Sequence, residues 1–410
     1  MSDVAARIRA ALDRLAGDGP ALGLAVSGGG DSVALMRVAA AWAGGRRLMV
    51  ATVDHGLRPD SGAEAQRAGR MARDLGLPHT ILRWQRDTHA GNLMAQARDA
   101  RLRLLSGWAR RNGLPAVALG HTADDLAETL LMRLARGSGI DGLAAMADWR
   151  DAFDMRWLRP MLGVGRQETR DWLRREGAAW IDDPTNENTD YERIRTRRAI
   201  ATLGLDVSGL ARSAGHIAEA RAALSSYAAL VAKGAAADRG SLVLPRTALR
   251  DAPEEIRRRL VVAACRWVTG AEYPPRRATL LHALDALRGQ GRVTLDGCLI
   301  APSQGDRLRF MREPAAAARA MPSTAGSWDR RWRIEGLPPG HHVAALGVAG
   351  IAALAPDWRR AGLSRDEAAA LPALWLADQP VAAPVLTPHP TARLTPLRAA
   401  ADFHSLVKAH

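Results

Sequence analysis

The sequence predicts an α/β fold in which the first part of the chain forms a doubly wound parallel sheet. In the first half of the 410 residues, short apolar runs alternate with longer amphipathic stretches. This βαβα alternation is typical of a parallel sheet that is covered by helices. In addition, a glycine-rich turn at 27–32 follows the first apolar run and leads into a helical pattern, as expected at the ligand-binding edge of such a sheet.

The predicted elements follow in order along the chain. The apolar runs expected to form strands are 22–26, 48–54, 79–84 and 115–120, and the amphipathic stretches expected to form helices are 33–42, 62–75 and 93–111. Ligands of this architecture bind beyond the carboxyl ends of the strands. We therefore expect the loops 27–32, 54–58 and 120–122 to line one crevice.

The second half of the chain has a different composition. After about residue 206, alanine- and arginine-rich helical patterns follow without another glycine-rich phosphate loop. Residues 313–326 are rich in small residues and proline, which is typical of a linker. We predict a first domain at 1–205, a helical domain at 206–312, a linker at 313–326 and a small C-terminal domain at 327–410.

Composition limits the possible partners and the location. The net charge of +14 favours a polyanionic partner such as nucleic acid, although the near-absence of lysine, with only Lys233 and Lys408, also fits a GC-rich genome. The two cysteines, Cys265 and Cys298, form neither a disulfide framework nor a zinc motif. Without a signal sequence or a run of ~18 apolar residues, the chain is predicted to be cytoplasmic and to have no membrane partner.

The loop 27–32 is predicted to bind phosphate. No lysine follows its glycines, and Val33 replaces the last glycine of the dinucleotide fingerprint, so both the common P-loop and that fingerprint are disfavoured. A carboxylate beside phosphates needs a cation, so Asp31 suggests a bridging Mg²⁺, while the Ser32 hydroxyl can donate to a phosphate oxygen. The alternative is a glycine-rich turn that binds nothing.

Two further segments carry candidate site residues. Asp125 and Glu128 are three residues apart, so a helix places both on one face, where a metal, a substrate amine or an arginine can bind. Ordinary acidic enrichment in a first helical turn is the alternative. His55 can exchange protons near neutral pH, although a histidine in a loop is more often structural.

These residues carry a resemblance to a known family. The sequence Ser27-Gly28-Gly29-Gly30-Asp31-Ser32 looks like the S-G-G-x-D-S signature of the PP-loop ATP pyrophosphatases, whose fold is Rossmann-like. Further motifs resemble the tRNA(Ile)-lysidine synthase branch and cover most of residues 21–200 in the order of that family. They are 54–58 with Ser61 and Glu64, Gly91-Asn92, Ala97-Arg98 with Arg101, 121–129, 136–139, Arg159-Pro160 and 183–186.

The resemblance implies a reaction and its participants. Enzymes of this branch use ATP to adenylate the C2 oxygen of the wobble cytidine in an isoleucine tRNA with a CAU anticodon, and the side-chain amine of free lysine then displaces AMP. ATP, Mg²⁺, lysine and this tRNA are therefore expected here. No stable protein partner is expected. The first domain would be catalytic, and 206–312 would bind the tRNA.

The same resemblance suggests a role for each site residue. Residues 27–32 would hold pyrophosphate, with Asp31 contacting Mg²⁺, and His55 and Arg58 would lie near the nucleotide. Asp125 and Glu128 would bind the lysine ammonium. The candidate catalytic residues are Asp31, His121, Arg193 and Arg197.

One segment departs from the family pattern. The family usually has R-N-x-[IL]-R after its D-P-[ST]-N segment, whereas this chain has Arg193-Ile194-Arg195-Thr196-Arg197. Arg193 and Arg197 keep the spacing, and Ile194 replaces the asparagine. An arginine of this segment is the candidate for stabilising the transition state.

Three alternatives remain open from the sequence. A C2 thiolase would adenylate its tRNA similarly, but sulfur transfer normally needs cysteines and residues 1–200 contain none. Amide-forming PP-loop enzymes that make NAD, GMP or argininosuccinate need no tRNA, so they fit the basic charge less well. A non-catalytic RNA-binding protein should have lost Asp31, Asp125 and Glu128.

Overall fold

The computed structural model describes residues 3–85, 93–182, 192–287, 289, 291–354 and 358–409. Contacts divide the chain into two compact units, Met1–Glu219 and Ala220–His410. Among the described helices, none is both long and apolar enough to cross a membrane.

The first unit is built on a six-stranded sheet with the strand order β3-β2-β1-β4-β6-β5. Its strands are β1 (Ala21–Ala25), β2 (Arg47–Asp54), β3 (His79–Arg83), β4 (Ala116–Leu119), β5 (Trp149–Ala152) and β6 (Met155–Leu158). All neighbouring strands are parallel except β5, which pairs antiparallel with β6. The chain order reverses between β1 and β4, so a ligand crevice is expected at that point. The predicted doubly wound sheet is confirmed.

Helices cover both faces of this sheet. They are α1 (Val4–Ala16), α2 (Gly30–Trp42), α3 (Ser61–Asp74), α4 (Leu93–Arg111), α5 (Ala123–Ala135), α6 (Ile140–Leu143), α7 (Arg166–Arg175) and α8 (Glu192–Thr202), and α9 (Val207–Val231) continues into the second unit. Side chains alternate across the strands: Leu22 and Leu24 pack with α1 and α2, whereas Ala21 and Ala25 pack with α4. Both faces of the sheet are therefore buried.

The predicted helix 33–42 starts three residues earlier in the structure. Gly29 is the N-cap of α2, and Gly30, Asp31 and Ser32 form its first turn. The phosphate loop is thus partly helical, which places the first N–H groups of α2 directly at the loop.

The second unit contains a five-stranded antiparallel sheet with the order β7-β8-β11-β10-β9. Its strands are β7 (Ala236–Asp238), β8 (Ser241–Pro245), β9 (Val293–Leu295), β10 (Cys298–Ser303) and β11 (Arg307–Arg312). A 3₁₀ turn at Ala232–Gly234 precedes them, and α10 (Thr247–Arg250), α11 (Glu254–Thr269) and α12 (Arg277–Ala286) lie between β8 and β9. The sheet buries Ile300 and Phe310 against α11, where both cysteines are also buried.

This sheet differs from the helical domain predicted for 206–312. The alanine- and arginine-rich composition favours helix, but the strands are only three to six residues long and gain stability from the shared core rather than from local propensity.

The remaining residues form two small sheets with the orders β12-β13-β17 and β14-β15-β16. Their elements are α13 (Pro314–Ala318), β12 (Ser327–Trp328), β13 (Trp332–Glu335), β14 (His341–Ala345), α14 (Gly347–Leu354), α15 (Arg365–Ala369), β15 (Pro372–Leu376), β16 (Gln379–Ala382), β17 (Arg393–Pro396) and α16 (Ala400–Lys408). The predicted linker 313–326 includes α13, and Ala317 is buried with Trp328 and Trp332. Its first part is therefore a packed helix, because small alanine side chains fit closely against tryptophan rings. The four-part division of the chain stays a prediction.

Candidate active site

The glycine-rich loop joins β1 to α2 and is held together by two serines. Ser32 Oγ donates a hydrogen bond to the carbonyl of Gly29 at 2.8 Å and accepts one from the Ser27 N–H at 3.2 Å. The two serine hydroxyl oxygens are 3.2 Å apart. We expected Ser32 to donate to a phosphate, but in this structure its hydroxyl proton is used within the loop. The backbone N–H groups at the start of α2 are thus the principal anion donors here.

Two glycines are required by close approaches at this loop. Gly28 has φ +91°, and a Cβ there would lie 2.5 Å from Cδ1 of Ile181. Gly120 follows β4, and a Cβ there would lie 3.2 Å from backbone atoms of Asp31 and Ser32. The loops after β1 and β4 therefore meet at the carboxyl edge of the sheet, as predicted.

Three acidic side chains converge at this edge. Asp31 lies in the first turn of α2, and Asp125 and Glu128 lie on one face of α5. Asp125 Oδ2 accepts the Thr122 N–H at 2.7 Å, which fixes that carboxylate at the start of α5. The Glu128 side chain is only 1% exposed. The sequence predicted that Asp125 and Glu128 share one helix face, and that the loop containing Asp31 meets the loop 120–122.

Arg166, the first residue of α7, contacts all three acidic side chains. Its Nε lies 3.2 Å from Asp31 Oδ2, its Nη1 lies 2.9 Å from Glu128 Oε1, and its Nη2 lies 3.3 Å from Asp125 Oδ1. Its backbone N–H donates to Asp124 Oδ2 at 2.7 Å, which anchors the start of α7. The sequence analysis did not identify Arg166.

Two predicted arginines of α8 complete the cluster. Arg193 contacts Glu128 Oε2 at 2.6 Å and Asp125 Oδ1 at 2.9 Å. Arg197 Nε lies 2.8 Å from Glu128 Oε1. Three guanidinium groups therefore face three carboxylates, and we call these six residues the Asp31–Arg166 cluster. Arg193 and Arg197 retain 41% and 35% side-chain exposure, so both are accessible to a substrate.

The pKa values of Asp31 and Glu128 are shifted in opposite directions, because burial dominates for Asp31 and nearby arginines dominate for Glu128. Burial raises the pKa of Asp31 and outweighs the opposing effects of Arg166 and Thr169, whose hydroxyl donates to Asp31 Oδ1 at 2.8 Å. Burial also acts to raise the pKa of Glu128, but Arg166, Arg197 and Arg193 together lower it below the usual value. Burial acts to lower the pKa of Arg166, and the three carboxylates raise it instead. Glu128 is therefore ionised at neutral pH, and Arg166 is firmly protonated.

His121 is a buried, neutral histidine beside the cluster. Burial, together with the charges of Arg101, Arg159 and Arg193, lowers its pKa to about 3, while Asp125 acts in the opposite direction. Its Nδ1 is buried without a hydrogen-bond partner among the described residues. A neutral imidazole can position a substrate by hydrogen bonding, but it cannot supply a proton near pH 7.

His55 and Arg58 lie in the loop after β2. Arg58 pairs with Glu64 at 2.7 Å. Burial lowers the pKa of His55, and its ring meets Trp84 edge to face with centroids 5.9 Å apart. A cavity of about 90 Å³ adjoins this loop. It is lined by Ala25, Val26, Ser27, Ala51, Val53, His55, Arg101 and Leu105.

A second group of arginines lies at the same edge of the sheet. The β5–β6 register pairs Arg150 with Trp157, so Arg150, Trp157 and Arg159 share one face of the hairpin, against α4. Arg159 is 5% exposed, and its Nη1 donates to the Ala147 carbonyl at 2.6 Å while its Nε lacks a described partner. Burial lowers the pKa of Arg159 to about 10, helped by the charges of Arg150 and Arg98.

Some residues that carry the resemblance lie outside the described residues, namely Gly91, Asn92 and 183–186.

The sequence analysis missed two residues of the candidate site, Arg166 and Thr169, for which the sequence gives one weak signal. Gly165 and Glu168 flank Arg166 as in a helix start, since the Gly165 N–H donates to Glu168 Oε2 at 2.8 Å. This pattern predicts a helix but not where its arginine points.

Comparisons with known proteins identify similar chains. A family model described as PP-loop domain matches residues 2–203. A tRNA(Ile)-lysidine synthase of Ruegeria pomeroyi is 47% identical over 371 residues, which cover 89% of this chain and 88% of that protein. Proteins of the same name from Bradyrhizobium sp. and Nocardia farcinica are each 40% identical, covering 74% and 75% of this chain and 92% and 96% of their own lengths. Among solved structures, a U34-tRNA thiolase of Methanococcus maripaludis matches with a TM-score of 0.46 and 14% identity over 53% of this chain and 76% of that one.

Proposed function

This chain belongs to the tRNA(Ile)-lysidine synthases, a family of ATP-using ligases with a PP-loop domain, and from that membership we propose how its own residues carry out the reaction. The substrate RNA is tRNA(Ile).

The proposed reaction has two steps. The C2 oxygen of the wobble cytidine attacks the α-phosphorus of ATP, and the bond from that phosphorus to the bridging oxygen breaks, which releases pyrophosphate. The lysine ammonium loses one proton to water, and the resulting amine attacks C2. The C2–O bond breaks, and AMP leaves while the nitrogen loses a second proton. The product is lysidine.

The phosphate loop binds the polyphosphate of ATP in this proposal. Gly28, Gly29 and Gly30 allow close backbone approach, and the start of α2 presents its N–H groups and the positive end of its dipole. The adjoining cavity beside His55 offers space for part of the nucleoside. Asp54 to Arg58 would then lie along the nucleotide, as the resemblance implies.

Mg²⁺ fits this donor set. Proteins usually hold Mg²⁺ through one or two carboxylates together with substrate phosphates, and Asp31 is a carboxylate at the phosphate loop. Its side chain is 21% exposed, so an ion at the loop can reach it. No larger group of metal-ligating side chains occurs within the described ranges. Asp31 would therefore hold Mg²⁺ with the phosphates, and the ion would supply charge neutralisation there.

Asp125 and Glu128 are the proposed site for the lysine ammonium. The single observation that supports this best is that one guanidinium, Arg166, touches both of them and also Asp31 of the phosphate loop. The cation site and the nucleotide loop are thus separated by no more than one side chain. A lysine held there would have its nitrogen close to the reacting base and phosphate.

Arg193 and Arg197 are the proposed catalytic arginines. Glu128 pairs with both guanidinium groups from α8, and both remain partly exposed. Guanidinium groups placed in this way can stabilise the negative charge that develops as pyrophosphate leaves. His121, which stays neutral, would orient the base or the ribose by a hydrogen bond rather than act as an acid.

The second arginine group is proposed to bind a phosphodiester of the tRNA next to the target cytidine. Arg98, Arg150 and Arg159 have like charges close together, and Arg159 is buried with a free Nε donor. An anion would remove their mutual repulsion. The predicted tRNA-binding stretch 206–312 would bind other parts of the tRNA, and a cytoplasmic location follows from these substrates.

The test is incorporation of labelled lysine into an unmodified tRNA(Ile) transcript with a CAU anticodon, in the presence of ATP and Mg²⁺. Selective labelling over a methionine tRNA with the same anticodon, together with AMP release, supports the proposal. The substitution Asp31→Asn should abolish lysine incorporation. Release of AMP that depends on tRNA without lysine transfer would contradict the lysine assignment. The alternative thiolase has less support, since both cysteines are buried in the second unit.

For the phosphodiester site, Arg150→Gln and Arg98→Gln should weaken tRNA binding and each reduce the slope of log K against log salt by about one. Arg9 is exposed on α1, a helix that covers the opposite face of the sheet, so Arg9→Gln is the matched control. Equal effects of all three substitutions would overturn this assignment.

A further inference from the structure

Arg166 holds a unique place in the Asp31–Arg166 cluster. Arg193 contacts Asp125 and Glu128, and Arg197 contacts Glu128, whereas Arg166 also contacts Asp31 in the phosphate loop. Among the described residues, it is the one side chain that joins the phosphate loop to the proposed amine site. Its side chain is 15% exposed, so it fills this position in the folded chain rather than extending into solvent.

The oxygens of the amine site are already in use. Asp125 Oδ2 accepts the Thr122 N–H, and Asp125 Oδ1 is shared by Arg166 and Arg193. Glu128 Oε1 is shared by Arg166 and Arg197, and Glu128 Oε2 accepts from Arg193. An ammonium group therefore finds no oxygen of this pair without a partner, and it would add a fourth positive charge to three carboxylates. Glu128 Oε2 accepts only from Arg193, so lysine binding is favoured, by charge and by space, when one guanidinium leaves.

Among the three guanidinium groups, that of Arg166 has an alternative partner within reach when a nucleotide is bound. Its contact with Asp31 places it beside the phosphate loop, where ATP phosphates would offer it a strong bidentate partner. Among the described residues, Arg193 and Arg197 pair with Asp125 and Glu128 and not with that loop. The backbone of Arg166 need not move, because its N–H is held by Asp124.

We propose that Arg166 occupies the amine site in the free enzyme and releases Asp125 and Glu128 to the lysine ammonium when a nucleotide binds the phosphate loop. Arg166 is thus a positioning residue that makes lysine binding depend on nucleotide. By thermodynamic linkage, lysine raises the affinity for nucleotide by the same factor. This inference rests on the proposed function, specifically on Asp125 and Glu128 as the lysine site.

The test is calorimetric titration of the full chain with L-lysine, alone and with saturating α,β-methylene-ATP and Mg²⁺. We expect the wild-type protein to bind lysine about tenfold more tightly or better when the nucleotide is present. Arg166→Met should bind lysine without nucleotide about as tightly as the nucleotide-bound wild type, so that the coupling disappears. A general loss of structure would weaken both titrations rather than strengthen one of them.

Arg174→Met is the matched control. Arg174 lies two turns further along α7 and pairs with Asp171 instead of the cluster, so this variant should keep the wild-type coupling. Equal lysine affinity in the wild type with and without nucleotide overturns the role of Arg166 and leaves the amine site intact. If lysine binds in no state, including Arg166→Met, the amine site itself is wrong and the coupling fails with it.

Discussion

Ile181 closes over Gly28: its N–H donates to the Gly28 carbonyl at 2.9 Å, and its Cδ1 lies where a Cβ of residue 28 would point. Residue 181 thus fixes the phosphate loop from a segment about 150 residues away in the chain. The loop therefore depends on a glycine for two separate reasons, its positive φ and this contact.

Gly28→Ala should destabilise the first unit and impair ATP use. The positive φ alone costs about 1–2 kcal/mol for a residue with a Cβ, and the contact with Ile181 adds to it. Gly76→Ala is the control, because Gly76 has φ +70° with no atom near its Cβ position. Thermal unfolding should show a larger loss for Gly28→Ala, and adding Ile181→Ala should remove the difference. Equal losses in the two single variants would contradict the contact.

Asp31→Asn should abolish turnover and raise the stability of the fold at neutral pH. Burial raises the pKa of Asp31, so the ionised form is the costly one in the folded chain. The folded state then binds the proton more tightly than the unfolded state. The stability advantage of the variant should grow as pH rises through the folded pKa and vanish below the ordinary value of 3.8. Urea unfolding at several pH values measures this, and an unchanged difference would count against it.

The substitution His121→Asn should reduce the loss of folding stability that occurs as the pH falls below 6.5. The folded pKa of about 3 lies below the ordinary 6.5, so the unfolded state binds more protons between these values. Stability contributed by neutral His121 is complete above pH 6.5 and is lost as pH falls toward 3. Unfolding midpoints between pH 7 and 4 should therefore fall less in the variant. A wild-type activity limb near pH 6.5 that the substitution removes would instead show that His121 titrates there.

Glu367→Ala should destabilise the second unit. Glu367 is 3% exposed, pairs with Arg309 and accepts the Ser241 hydroxyl at 2.7 Å. Its removal leaves the largely buried guanidinium of Arg309 with Asp238 alone, so a loss of about 3–5 kcal/mol is expected. Denaturant unfolding gives the value. Glu335→Ala on the exposed face of β13 should stay within about 0.5 kcal/mol, and a similar change in both variants would disprove the role of Glu367.

The parts of the fold that were predicted are those with strong local signals. The strands of the parallel sheet are continuous apolar runs, and the spacing of Asp125 and Glu128 places them on one helix face by simple geometry. The strand β5 gave no such signal. Its hairpin turn has Phe153 and Asp154 at positive φ instead of glycine. The sequence therefore lacks the glycine that usually indicates such a turn.

Arg166 escaped prediction for a different reason. Its partners lie 38, 41 and 135 residues away in the chain, and only the folded sheet brings them together. In a chain with dozens of arginines, nothing local separates this one from solvent-exposed neighbours such as Arg174. The strands of the second unit were missed because their stability comes from the shared core of Ile300 and Phe310 rather than from residue propensity.

The three cations that fill the amine site are all arginines, and the only lysines of the chain, Lys233 and Lys408, lie in the second unit. A guanidinium remains protonated at physiological pH and has no free electron pair with which to attack carbon. A lysine at position 166 would imitate the substrate in reactivity as well as charge. It could then compete for the activated base and tie the enzyme covalently to its RNA. By using arginine, the chain keeps a chemically inert substitute beside a reactive intermediate and is protected against modifying itself.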